Sequence, residues 1–170
     1  MCIRDRVTLV VDAEGLDCAP RGTGLLVAEG TEVGAKALTH ATAKWEWLAE
    51  VVRRDREDGT ARHPHRHVLR LSYGRHGGGP DQLGYRTADE QLVEQAIADA
   101  AVLTGVDLAT EDVAAHMVVR WRDAIPPQSG PARTAMRALT AYAEATDGVD
   151  VVGAWADGTG LASILSLIHI

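Results

Sequence analysis

The 170-residue sequence has no phenylalanine and no asparagine, and aromatic residues make up only 4% of it. Any core must therefore be mainly aliphatic. Cysteine is nearly missing, with only Cys2 and Cys18. Two thiols give neither a disulfide framework nor a Cys-based zinc site, and a reducing, cytoplasmic setting is the plain expectation. Cys18 has no identifiable activating neighbour and reads as a bystander thiol. No apolar run approaches the roughly 20 residues of a membrane-spanning helix, and no signal peptide is visible. Lysine occurs only at 36 and 44, and the formal net charge is −7. That acid excess argues against a nucleic-acid partner and against an anionic membrane surface. No Ser/His or His/Asp arrangement stands out along the chain, so the catalytic residues stay unassigned.

What is present at the two ends is unusual. The chain opens Met-Cys-Ile-Arg-Asp-Arg and closes Leu-Ser-Leu-Ile-His-Ile. Back-translation of the close as CTG TCT CTT ATA CAC AT gives a reverse complement that reads Met-Cys-Ile-Arg-Asp. One short DNA element on both strands thus yields both ends, as a sequencing adapter would. The Arg-rich, Lys-poor body indicates GC-rich coding DNA, yet three of the six isoleucines (Ile3, Ile168, Ile170) lie in these end positions. Residues 1–6 and 165–170 are therefore set aside as an adapter artefact. They are expected to make few specific contacts, and the natural protein is expected to be longer at both ends.

Between these ends the chain reads as α+β. Val7–Val11 and Gly24–Ala28 are apolar strands around a turn rich in Gly, Asp and Pro. Lys36–Trp45 is Thr-rich and alternating; it fits a strand with one small-residue face, on which a flat ligand would lie, and equally a closely packed helix. Residues 53–66 form a charged loop. Within it His63, His65 and His67 alternate, but Pro64 breaks a regular strand and no fourth ligand is near, so the expectation is an exposed hairpin without metal. His67–Arg75 is a strand with Leu69, Leu71 and Tyr73 on one face. Thr87–Thr104 is an amphipathic helix with a Thr87/Glu90 capping box, an apolar stripe of Leu92, Val93, Ala96, Ile97, Ala100 and Leu103, and Gly105 as its stop. His116–Trp121 is a further strand. Pro131 opens a second amphipathic helix with Ala132, Ala135, Met136, Leu139, Tyr142 and Ala143 on its stripe. The expected sheet, mixed or antiparallel, contains 24–28, 36–43, 67–74 and 116–121, with helices at about 87–104 and 131–146.

The segment Val151–Ile164 reads as a short apolar strand, a glycine turn and the first turn of a helix. Gly153, Gly158 and Gly160 remove Cβ atoms where a ligand or another backbone comes close. A helix starting near Leu161 points free N–H groups and a positive dipole end over the turn, which suits an anion or an electron-rich ring edge.

Five stretches occur in an order that resembles the C-terminal third of the flavin-dependent protoporphyrinogen/coproporphyrinogen oxidases. They are Gly22–Val27, Lys36–Thr39 running on to Lys44-Trp45, His67–Arg75, Val118–Trp121 before a Pro/Gln turn, and Gly153-Ala154-Trp155 with Gly158–Leu161. The resemblance covers nearly all of 7–164. It implies FAD as cofactor, a tetrapyrrole substrate, oxygen as the final oxidant and a place in haem biosynthesis. It implies that 7–120 is part of the substrate-binding domain and that 121–164 returns to the FAD-binding domain through a strand, a glycine turn and a helix. Trp121, Gly158, Thr159, Gly160 and Leu161 fall where the family contacts FAD, and Arg75 is placed to hold propionates. The resemblance transfers no catalytic base. The loop at 126–132 departs from the pattern, having neither the Tyr nor the His that the family carries there. The N-terminal Gly-rich dinucleotide fingerprint is also missing, so the partner implied is an N-terminal FAD-binding domain of the same chain. Two other readings remain open: a fragment of an amine-oxidase or desaturase relative, and a non-catalytic α+β binding module.

Overall fold

A computed structural model describes residues 4–54, 62–74, 83, 87–121, 129–151 and 153. The chain divides into two compact units, 3–122 and 123–170, the second joined by residues 1–2. In the first unit the element order is β1 (Arg4–Asp12), β2 (Gly24–Leu26), β3 (Ala37–His40), α1 (Ala41–Lys44), α2 (Glu46–Arg53), β4 (Arg66–Tyr73), α3 (Asp89–Thr104) and β5 (Val113–Trp121). The strands form one five-stranded sheet in the order β2-β3-β4-β1-β5, with every pairing antiparallel. The α+β class and the antiparallel sheet expected from the sequence are observed.

The central ladder arises from alternation. On β1, Val7, Leu9 and Val11 face inward and lie opposite Leu71, Leu69 and His67 of β4. The apolar side chains among these, with Tyr73, join Leu92, Ala96, Ile97 and Ala100 of α3 in one core. Tyr73, Leu69, Leu71 and the three β1 residues are at most 1% exposed. At roughly 1.5–3 kcal/mol for each large apolar side chain buried, this seam dominates the stability of the unit. β1 also pairs with β5, with a bulge where Val10 lies opposite Ala115 and Val11 opposite Val113. Gly24 begins β2 because its φ is 154° and a Cβ there would meet the Leu38 carbonyl oxygen at 2.7 Å.

Helix α3 carries the expected stripe and ends at Gly105, whose φ of 72° is the left-handed cap that glycine adopts without strain. Its start differs from the sequence reading. The N-cap is Ala88, with no side-chain cap. The Thr87 carbonyl instead accepts from Arg120 Nη2 at 2.7 Å, and the same guanidinium binds Asp89. An arginine on β5 thus replaces the capping box as the anchor of this helix.

Two further expectations are corrected. Lys36–Trp45 is not one element, because the strand stops at His40 and α1 and α2 come after it. The half-buried residues Trp45, Leu48, Ala49 and Val52 recur at helical spacing, while Trp47 and Val51 are exposed. The expectation of few contacts at 1–6 fails for 4–6. Arg4–Arg6 pair by main chain with β5, and Asp5 is buried with Arg120 Nη1 3.1 Å from its Oδ2. A main-chain ladder forms whatever the side chains are, which is why these residues extend β1. Residues 1–3 and 165–170 lie outside the described residues.

The second unit contributes α4 (Gly130–Glu144), capped by Ser129 Oγ accepting from the Ala132 N–H at 3.3 Å, with Pro131 in the first turn. Of its expected stripe Ala143 is buried and Ala132 and Met136 are half-buried, but Ala135, Leu139 and Tyr142 are exposed. Among the described residues no helix is long and apolar enough to cross a membrane.

One polar knot holds α3 to the sheet. The Asp99 carboxylate, 3% exposed, accepts from Ala35 N–H at 2.7 Å, Gly34 N–H at 3.3 Å, Tyr73 O–H at 3.0 Å and Gln95 Nε2 at 2.8 Å. Asp99→Ala should destabilise the chain by about 3–5 kcal/mol, since it strands buried donors. Tyr73→Phe, which leaves the carboxylate three donors, should cost about 1 kcal/mol. Urea unfolding midpoints measure both, and equal midpoint shifts would contradict this account.

Candidate functional site

Two places in the first unit carry candidate functional side chains, at opposite ends of the sheet. At one end is Trp121, the last residue of β5, opposite Arg4 of β1. It is 49% exposed, and the Arg6 guanidinium carbon lies 5.6 Å from its ring centroid. That distance is within cation–π range. Gly158, Thr159, Gly160 and Leu161, the other residues expected to contact FAD, lie outside the described residues, as does Arg75. The structure therefore shows Trp121 at the surface of the first unit.

At the other end, β3, β4, α1, α2 and the turn after β1 enclose a cavity of about 540 Å3. His40, the last residue of β3, is 3% exposed, and His67, near the start of β4, is 2% exposed. The sequence reading groups His67 with His63 and His65 in an exposed hairpin and also makes it the first residue of the strand His67–Arg75; the strand is observed, the exposure is not. His67 is instead a core residue of β4, because its strand position places it inward with Leu69, Leu71 and Tyr73. His65 is the exposed one, bonded through Nδ1 to Asp17 Oδ2 at 2.7 Å. Among the described residues no group of three His, Cys, Asp or Glu side chains is arranged to hold a metal ion.

Donor and acceptor rules fix the polar order in this cavity. Asp17 Oδ1 lies 2.9 Å from His67 Nε2. A carboxylate only accepts, so Nε2 of His67 carries the proton and its Nδ1 is an acceptor. His40 Nε2, 3.0 Å from that Nδ1, must therefore be the donor. Thr42 Oγ1 also reaches His67 Nδ1, at 3.3 Å, while accepting from the Val68 N–H. The result is a directed chain, Asp17 to His67 to His40. A His/Asp arrangement thus exists that sequence reading misses, since its members are spread over positions 17, 40 and 67. The one available signal is the inward phase of His67 on the β4 pattern.

The chain ends in an open atom. Among the described residues His40 Nδ1 has no hydrogen-bond partner. It is not sealed either, since among the described residues the only fully buried side-chain N or O atom lacking a partner is Asp5 Oδ1. His40 lines the cavity, with Lys44, Glu46 and Arg53 around the same space. Arg53 Nη2 stands 3.7 Å from Asp17 Oδ1. Burial, then the neighbouring His67 and Arg53, hold His40 down at about 4. Burial also lowers His67, offset only in part by its hydrogen bond to Asp17. Burial pushes the Asp17 carboxyl up, but the hydrogen bonds from His65 and His67 outweigh it and leave it below its ordinary range.

The chain as a whole is similar to known proteins. In fold the chain is similar to a protein assigned as a protoporphyrinogen oxidase from Exiguobacterium sp. 255-15, with a TM-score of 0.68 at 22% identity, covering 98% of this chain and 34% of that one. In sequence it is similar to proteins named coproporphyrinogen III oxidase. It is 30% identical over 151 residues to that of Mycobacterium leprae, covering 86% of this chain and 28% of the relative. It is 32% identical over 143 residues to that of Mycobacterium tuberculosis, covering 84% and 26%. The chain thus spans about a quarter of the length of the curated relatives it matches. No protein-family model matches it.

His40 makes stability depend on pH. Its ordinary value is 6.5 and its folded value about 4. Between these the unfolded state binds the proton and the folded state does not. Stability is therefore full above about 6.5 and falls as the pH drops toward 4. His40→Gln should remove about 2 kcal/mol of the stability difference between pH 7.5 and pH 5, read from urea melts at the two values. An unchanged difference would show that His40 is not the group responsible.

Proposed function

We propose that the chain is part of an FAD- and oxygen-dependent oxidase that converts coproporphyrinogen III, or protoporphyrinogen IX, to the porphyrin in haem biosynthesis. The observation that carries this reading is the 30–32% identity to coproporphyrinogen III oxidases across 84–86% of the chain. The fold likeness agrees with it. In this reading 7–120 is a portion of the substrate-binding domain, and 121–164 returns to an FAD-binding domain whose larger part lies N-terminal in the same protein, in the cytoplasm. Residues 1–6 and 165–170 are treated as adapter-derived. Asp5 supports that: it breaks the inward apolar alternation of Val7, Leu9 and Val11, and its Oδ1 is buried without a partner.

FAD, when bound, supplies the hydride acceptor that porphyrinogen oxidation requires. The fit on this chain rests on Trp121, whose half-exposed ring at a strand end offers an apolar face to a flat ring system. Arg6 on that ring belongs to the segment read as adapter-derived, so the other occupant of the ring is left to the cofactor. By the sequence reading, Gly158 and Gly160 would allow close approach of the main chain, and the N–H groups at Thr159, Gly160 and Leu161 would be donors to an electron-rich ring edge. The chemistry of removing hydrides and protons from a tetrapyrrole needs placement and exclusion of water more than a protein nucleophile, in keeping with a segment that offers surface and turn donors.

The test begins with the 170-residue chain alone. It keeps only part of the FAD site, and the loss of ligand freedom on binding costs at least about 4 kcal/mol regardless. Titration followed by flavin fluorescence should show weak or no binding, and no porphyrin should form from coproporphyrinogen III. Tight stoichiometric binding or turnover by this chain would overturn the fragment reading. In the protein encoded by the complete gene, porphyrin should form with FAD bound. There, Gly160→Trp should abolish flavin retention by filling the turn.

A further inference from the structure

The cavity at the histidine end is remote from Trp121. Trp121 lies opposite Arg4 on β1, and His67 lies opposite Val11. Seven residues of strand separate them, roughly 23 Å at about 3.3 Å per residue. The histidine cavity therefore stands apart from any flavin at Trp121.

We propose that this cavity is a binding site for an organic monocarboxylate, held by His40 Nδ1 and Lys44, and that binding draws one proton onto His40. The open atom is the starting point. His40, only 3% exposed, presents an unpartnered ring nitrogen to a cavity of about 540 Å3. That volume lies in the range of small-molecule sites, roughly 300–1,000 Å3. With its Nε2 proton donated to His67, neutral His40 offers only a lone pair at Nδ1. A carboxylate also offers only lone pairs. The two meet once Nδ1 takes a proton, and His40 then donates at both ends, to His67 and to the ligand.

The surrounding charges set the stoichiometry. His40 faces His67 from β4, Asp17 from the turn after β1, Lys44 from α1, and Glu46 and Arg53 from α2. Two cations and two carboxylates balance in the empty cavity, and burial keeps His40 neutral. A monoanion upsets that balance by one charge, which one proton restores. The imidazolium formed is supported through His67 by Asp17, the fixed negative end of the chain. A dianion would meet Asp17 and Glu46 with a charge left over, so a monocarboxylate fits better than a phosphate. Leu16, Ala19, Ala43 and Ala49 complete the wall and suit a short hydrocarbon body.

Hexanoate is a suitable probe. Calorimetric titration of the 170-residue chain at about pH 6, in two buffers of different ionisation enthalpy, should give about one proton taken up per hexanoate bound. Affinity should fall by close to tenfold per pH unit while the free imidazole is neutral and the bound one protonated, and level off once the bound imidazole deprotonates. Nitrogen NMR of the histidine rings should show His40 Nδ1 passing from bare to protonated as hexanoate is added. Lys44→Gln should weaken binding but keep the proton uptake, and His40→Asn should abolish the uptake and weaken binding at least about tenfold. Phosphate at the same concentration should not compete. Absence of binding, binding without proton uptake, or an unmoved His40 signal would each overturn the proposal. The NMR measurement decides on the unsubstituted chain if His40→Asn fails to fold.

Discussion

The first unit depends on one buried carboxylate. Asp99 sits on α3, on the face that meets the sheet, where an apolar residue would satisfy the helix pattern. It is there because the chain entering β3 arrives with two N–H groups, Gly34 and Ala35, that point into the core before any strand partner is available. Buried backbone donors must be met, and Asp99 meets both while also holding the Tyr73 hydroxyl at the end of β4. One side chain thus fixes the helix, the approach to β3 and the end of β4 relative to one another. Burial, and then the adjacent Asp99 charge, push the Tyr73 phenol far up, so it serves as a donor at every working pH. The apolar seam supplies most of the stabilisation, but it is tolerant of sliding; the knot at Asp99 sets the position in which α3 packs.

Arg120 does similar work at the start of α3. It leaves β5 to bind the Thr87 carbonyl and Asp89, and it also meets Asp5. The helix therefore begins where the sheet holds it rather than where its sequence would cap it. Charge-assisted bonds to a guanidinium are stronger than a neutral threonine cap, which accounts for the shift of the N-cap to Ala88.

Much of this is legible in the sequence. β4 and α3 are readable because each has a long run of one period, two residues on β4 and 3.6 on α3, and each ends at glycine. The failures share a cause, which is competition between periods over short windows. From Lys36 to Val52 the chain passes through a strand, one turn of α1 and then α2, so no window of one period is long enough to stand out. The stripe Trp45, Leu48, Ala49, Val52 is helical, but the neighbouring Trp47 and Val51 blur it by being apolar and exposed. His67 is legible as the first residue of its strand, but the charged run before it suggests exposure, whereas its phase with Leu69 and Leu71 assigns it to the core. Of the two candidate places, Trp121 is named in the sequence by the family resemblance. The histidine chain is not, since tertiary contact alone joins Asp17, His40 and His67.

Two accounts of that chain make different demands. If Asp17, His67 and His40 only tied the turn after β1 to β3 and β4, every polar atom in it would be satisfied or fully solvated, as buried networks are. His67 meets that demand at both nitrogens, and Thr42 joins it by bonding the ring and the Val68 N–H at once. His40 does not: it is as buried as His67 but stops one bond short, at the wall of a cavity. A neutral apolar residue in its place would remove both the desolvation and the acid sensitivity that the buried imidazole brings. Retaining a base there, oriented through two hydrogen bonds from a carboxylate, makes physical sense when something enters the cavity to complete it.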